Sequence, residues 1–168
     1  MMGAGRSFSG NERNCFFINL GNGKFADISG LSGLDFPDDG RAISVTDWDN
    51  DGDLDLWITN RNAPRLRLMR NDTKEDNPFI SILLKGNGET VNKDAIGARI
   101  EIINGKNSVK FKQIQTLRAG QGFLSQSSKW IQFALNETIK SIDIKISWPD
   151  GTVSKIQDVL PNKKYIIR

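Results

Sequence analysis

The sequence predicts an all-β protein built in two units, and three observations carry that prediction. Apolar residues recur with period two, or in short runs, along nearly the whole chain. Turn-forming Gly, Pro, Asn and Asp interrupt them about every 8–12 positions. No stretch keeps a 3.6-residue apolar period over about ten residues, as an amphipathic helix would.

The first unit reads as strands near 14–19, 24–28, 41–46, 54–59 and 65–70. Gly21-Asn22-Gly23 joins the first two as a hairpin turn, because Gly and Asn tolerate positive φ. The run Cys15-Phe16-Phe17-Ile18 reads as a core strand with a buried thiol. The polar segment 71–78 has no periodicity and sets the boundary, dividing the chain into 1–71 and 72–168.

The second unit reads as strands near 79–85, 97–103, 108–117, 129–134, 139–148, 152–156 and 164–167. Ile142, Ile144, Ile146 and Trp148 alternate with Asp143, Lys145 and Ser147. One dry and one wet face per strand is the requirement of an antiparallel β-sandwich. Pro149-Asp150-Gly151 closes the next turn. Trp57, Trp130 and Trp148 read as core residues.

Composition removes several function classes. The 168 residues include no histidine and one cysteine. That excludes a Ser-His-Asp triad, a Cys-His pair, imidazole-bound zinc and an internal disulfide. No apolar run approaches the ~20 residues of a membrane span. Residues 1–14 lack an apolar h-region, so no signal peptide is read there. Residues 1–71 carry eight basic against ten acidic side chains, and 72–168 carry fifteen against ten. Neither balance suggests a nucleic-acid partner.

The chemistry concentrates in Asp47-Trp48-Asp49-Asn50-Asp51-Gly52-Asp53-Leu54-Asp55, a D-x-D-x-D-G-x-x-D pattern. Carboxylates at alternate positions converge when the chain curls, and Gly52 permits the bend. Calcium is a hard cation that takes about six to eight oxygens. Asp47, Asp49 and Asp51 would supply side-chain oxygens, Asp53 its carbonyl, and Asp55 both carboxylate oxygens. An EF-hand needs a Glu at position 12 and flanking helices. Ile58 stands at that position and both flanks read as strands, so the loop belongs to a β-hairpin. The bland alternative is an acidic surface turn, against which stands the mutual repulsion of five aspartates in nine residues. Magnesium fits less well because it holds its waters.

Other features have weaker readings. Gly120–Trp130 mixes small polar residues with Phe123 and Trp130, which suits a glycan loop or a structural one. Ser125, Ser127 and Ser128 do not form an S-x-x-K nucleophile with Lys129, because Gln126 holds the required place. Arg61, Arg65, Arg67 and Arg70 read as a solvated strand face rather than an anion patch. Asp38-Asp39-Gly40-Arg41 reads as an Asx-type turn with a surface arginine. Sequons at Asn71 and Asn136 matter only in a eukaryotic secretory setting.

The strings Phe16–Phe25, Ile28–Gly33 and Val45–Asn60 together resemble the FG-GAP/VCBS repeat, a β-propeller blade unit. The strings Asp94–Arg99, Leu117–Trp130 and Ser147–Val153 resemble the ASPIC/UnbV domain, found at the C-terminus of cartilage acidic protein and bacterial relatives. The resemblance implies a calcium-binding, secreted or periplasmic protein with an adhesion or scaffolding role. Its calcium ligands fall on Asp47, Asp49, Asp51, Asp53 and Asp55. The expected architecture is one propeller-like blade (1–71), bearing the calcium hairpin, packed on a C-terminal sandwich (72–168). A propeller needs about four to eight blades. A single blade leaves sheet edges that the sandwich, or a second copy of the chain, would cover. The expected function is a non-catalytic interaction module with structural calcium and a protein ligand. The rival is a carbohydrate-binding module using the sandwich loops.

Overall fold

A computed structural model describes residues 10–73, 77–104 and 111–168. Parts of three readings therefore lie outside the described residues: the N-terminal segment over 1–9, the connector over 74–76, and the expected strand over 108–110. The described residues form twelve strands and no helix. In chain order these are β1 (Phe17–Gly21), β2 (Lys24–Asp27), β3 (Gly40–Thr46), β4 (Asp55–Asn60), β5 (Leu66–Met69) and β6 (Phe79–Leu84). They continue with β7 (Arg99–Asn104), β8 (Phe111–Thr116), β9 (Ile131–Ala134), β10 (Ile142–Ser147), β11 (Val153–Val159) and β12 (Lys163–Ile167).

The second half is a sandwich of two sheets, ordered β11-β10-β7-β8 and β12-β6-β9. In β10 the inward residues Ile142, Ile144 and Ile146 are buried and the residues between them half-buried. Ile80, Ile82 and Leu84 of β6, Ile100 and Ile102 of β7, and Phe133 of β9 meet them in one cluster. Burying a side chain of this size contributes about 1.5–3 kcal/mol. Trp148 packs at the margin of this core, half-buried, and its indole N–H donates to Ser154 Oγ at 2.8 Å. Trp57 and Trp130 are likewise half-buried rather than fully enclosed.

One pairing departs from an antiparallel sandwich. β12 runs parallel to β6, with Lys163 opposite Ile80 and Ile167 opposite Leu84. Alternation is the same in parallel and antiparallel strands, so the pattern of residues 163–167 does not encode direction. Tyr165 and Ile167 turn toward the core cluster, which leaves Lys164 on the outer face of the sheet.

The first half contains the β1–β2 hairpin and the antiparallel meander β3-β4-β5. Gly21, Asn22 and Gly23 all take positive φ at the hairpin turn. Of its apolar side chains only Ile58 is fully buried among the described residues. Cys15 is exposed, contrary to the core reading of its segment. Among the described residues nothing closes over that hairpin, and Phe17 and Phe25 are 55% and 63% exposed.

Polar pairing replaces apolar burial on this side. Asp38 and Asp39 are buried, while Arg41 beside them is exposed. Asp38 pairs with Arg67, and Asp39 with Arg41 at 2.8 Å and Arg61 at 3.9 Å. Arg67 also lies over the Phe36 ring at 3.9 Å. Most of the arginines read as a solvated face are thus engaged with aspartates. The free edge of β3 is covered by the second half. Ser128 N–H donates to Val45 O at 3.0 Å, Val45 N–H to Ser127 Oγ at 3.1 Å, and Ser44 Oγ to Gln126 O at 2.8 Å.

Candidate metal centre

The aspartate loop links β3 to β4, and its curl has local causes. Asn50 takes φ 65° and Gly52 φ 103°, the left-handed region that Asn and Gly enter most readily. Gly52 is fixed for a second reason. A Cβ there would stand 2.3 Å from Phe79 Cε1, so only a glycine fits beneath that ring.

The curl brings oxygens of Asp47, Asp49 and Asp55 within 4.8 Å of one another. Asp55 is fully buried, and its carboxylate is oriented by the backbone. It accepts from Trp48 N–H at 2.7 Å and from Asn71 N–H at 2.8 Å, one bond on each oxygen. Asp47 is 7% exposed at its side chain. Its Oδ1 takes a long contact of 3.5 Å from Gly52 N–H. Its Oδ2 is shielded from solvent and accepts no hydrogen bond. The Lys164 ammonium lies 2.8 Å from that oxygen as an ion pair, off the hydrogen-bonding directions. Asp49 faces the Arg70 guanidinium at 3.7 Å.

The Asp51 carboxylate is not part of this convergence, and Asp53 is expected to offer its carbonyl rather than its side chain. Asp51 Oδ1 accepts from Asp53 N–H at 2.9 Å, an Asx turn that steadies the bend. Burial raises the Asp53 carboxyl above its ordinary range, and the carboxylates of Asp51, Asp47, Asp55 and Asp49 add to the rise in that order. Asp51 and Asp53 border a separate cavity of about 390 Å³ shared with Phe79 and Asn162. Of the four predicted side-chain ligands, Asp47, Asp49 and Asp55 therefore converge, while the Asp51 carboxylate shapes the turn.

The set is chemically suited to a hard divalent cation. It is all oxygen, anionic, preoriented at Asp55, and holds at Asp47 a buried carboxylate oxygen without a hydrogen bond. Trp48 meets Trp57 of β4 edge-on, ring centroids 5.1 Å apart.

Sequence reasoning missed the residues that seat the loop. Lys164 donates to Asn50 Oδ1 at 2.6 Å, and the Gln132 amide donates to Gly52 O. Both come from the second half.

Residues 88–168 match the family model described as ASPIC and UnbV. No curated protein matches the chain. The ASPIC/UnbV stretch supplies β7 to β12, with both Gln132 and Lys164. It begins after β6, although β6 is the middle strand of its smaller sheet. Within it, the loop considered for glycans has Phe123 72% and Leu124 81% exposed. Its hydroxyls are engaged internally or with β3: Ser125 Oγ donates to Gln121 O, and Ser127 accepts from Val45.

Proposed function

We propose that this chain is a calcium-binding, non-catalytic β protein in which the ion is structural and the folded whole acts as an interaction, adhesion or scaffolding module. The observation that carries the reading is the meeting of Asp47, Asp49 and Asp55 carboxylate oxygens within 4.8 Å, two of these residues largely buried. The likeness of residues 16–60 to the FG-GAP/VCBS repeat supports it, and it implies a working place outside the cytoplasm. An ion at this point would tie β3, β4 and the residues after β5 together, because Asp55 already binds Trp48 and Asn71.

The test is a thermal melt of wild type and Asp47→Ala in calcium, in magnesium and in a chelator. A calcium-specific rise in Tm that the variant lacks is expected. Equal curves in all three conditions would end the proposal. The carbohydrate reading keeps one supporting observation, the exposed ring of Phe123. A glycan array comparing wild type with Phe123→Ala decides it, since hits that survive the substitution exclude that ring.

A further inference from the structure

The outer face of the sheet β12-β6-β9 carries three polar side chains in one cross-strand row. Lys164 stands opposite Ser81, and Ser81 opposite Gln132. Ser81 is 1% exposed, so the row lies beneath another part of the molecule. Polar groups placed under cover cost stability unless they find partners. The partners here come from the aspartate loop. Gln132 donates to Gly52 O, and Lys164 donates to Asn50 Oδ1 at 2.6 Å. Lys164 also holds Asp47 Oδ2 at 2.8 Å with its side chain only 30% exposed. A cavity of about 250 Å³ remains between loop and row, bordered by Asp47, Asn50, Ser81, Gln132 and Lys164.

A solvated lysine would spread its charge into water. This one is directed at the acidic loop from a different sheet, against the buried oxygen that has no hydrogen bond. Three converging carboxylates face two cations, the Lys164 ammonium at Asp47 and the more exposed Arg70 guanidinium 3.7 Å from Asp49, and so form an incompletely neutralised group. A divalent ion arriving among the carboxylates meets the ammonium well inside the screening length of about 8 Å, so the two cations oppose each other.

We infer that Lys164 is the resident counter-cation of the aspartate loop and that a divalent ion binds in competition with it. This inference rests on the calcium reading above. The second half thereby sets the affinity of a site whose ligands all lie in the first half. In the absence of metal the ammonium holds the loop on its seat, and metal takes over that charge.

The test is calorimetric titration of the full chain with calcium chloride, comparing wild type, Lys164→Met and Lys164→Arg. Lys164→Met is expected to bind at least tenfold more tightly, and Lys164→Arg within about threefold of wild type. In chelator Lys164→Met is expected to melt below wild type, and saturating calcium to narrow or reverse that order. A residue that merely supported the loop's shape would weaken calcium binding when removed. Unchanged or weaker binding by Lys164→Met therefore overturns the inference while leaving calcium binding intact. Absence of calcium binding by all three proteins overturns the calcium reading and this one with it. Should Lys164→Met fail to fold without calcium, Lys164→Gln keeps a donor for Asn50 without the charge. The same gain in affinity is expected of it, and no gain overturns the inference.

Discussion

Seventeen buried apolar side chains form one cluster in the second half, from Ile80 to Val159, whereas the described residues of the first half bury Ile58 alone. The first half instead encloses charged groups: Asp38, Asp39 and Asp55 are all buried. A region organised that way depends on charge compensation. Its stability should respond to metal and pH where the sandwich responds to volume. Each of the following experiments attacks one side of that contrast.

The largest effect belongs to the sandwich. Phe133 is fully buried between the sheets, and Phe133→Ala should cost about 3–5 kcal/mol. Denaturant unfolding should give the same loss with and without calcium. A loss confined to the calcium-free protein would show that the two halves are not held by different means.

Metal removal comes next and should act on the first half. With a dissociation constant on the order of 10 μM, ~1 mM calcium contributes about 2.7 kcal/mol. Hydrogen exchange in chelator should rise across β3 and β4 and change little in β10. Uniform exchange throughout the chain would mean that the halves unfold as one unit.

One carboxyl in each half should also respond to pH with opposite sign. Asp53 has its carboxyl raised by burial and by neighbouring carboxylates. Its contribution is present below the ordinary range near 3.9 and is lost as pH climbs through the raised value. Asp53→Asn should therefore stabilise the metal-free protein at neutral pH. Glu101 on β7 is lowered, first by its hydrogen bond to Lys112 and then by the charges of Lys112, Lys145 and Arg99. Its contribution is present above the ordinary range near 4.3 and is lost as pH falls through the lowered value. Glu101→Gln should destabilise at neutral pH and have little effect in acid. Melts of both variants across pH check the pair of signs.

The smallest effects lie on the β1–β2 hairpin. Phe17→Ser should shift stability by no more than about 0.5 kcal/mol, the usual range for a surface site. Cys15 should react with a thiol reagent in the native protein at close to the rate of a free thiol. Protection of Cys15 would mean that the hairpin is covered in solution.

Much of this was legible in the sequence, because it is written in local pattern. Alternation located all twelve strands, and the spacing of five aspartates around Gly52 located the loop. What failed depends on contacts distant in sequence. The run from Cys15 to Ile18 has the composition of a core strand, yet it is exposed among the described residues, and composition cannot supply a neighbour. Likewise Lys164 and Gln132 look like ordinary outward residues on short strands. Their meaning comes from register across β12, β6 and β9, and from an approach to Asn50 across 114 positions of chain. That the Asp51 carboxylate turns to the Asp53 N–H instead of joining the other three follows from one hydrogen bond within the turn, which residue spacing does not specify.

The parallel pairing of β12 with β6 sets an order of assembly. Phe79 N–H donates to Asn162 Oδ1, a contact spanning 83 positions, at the start of that pairing. Contacts so far apart carry the loop-closure cost that makes folding slow. On an emerging nascent chain the aspartate loop is synthesised early, but its seat waits for the last strand. Until residues 163–167 have been made and threaded beside β6, the massed negative charge has no lysine opposite it. During that interval Arg70 faces Asp49 alone, and free calcium in the surroundings would compensate the charge on Asp47 that Lys164 later meets. The rate of maturation should therefore depend on the ion even where the finished protein tolerates its loss.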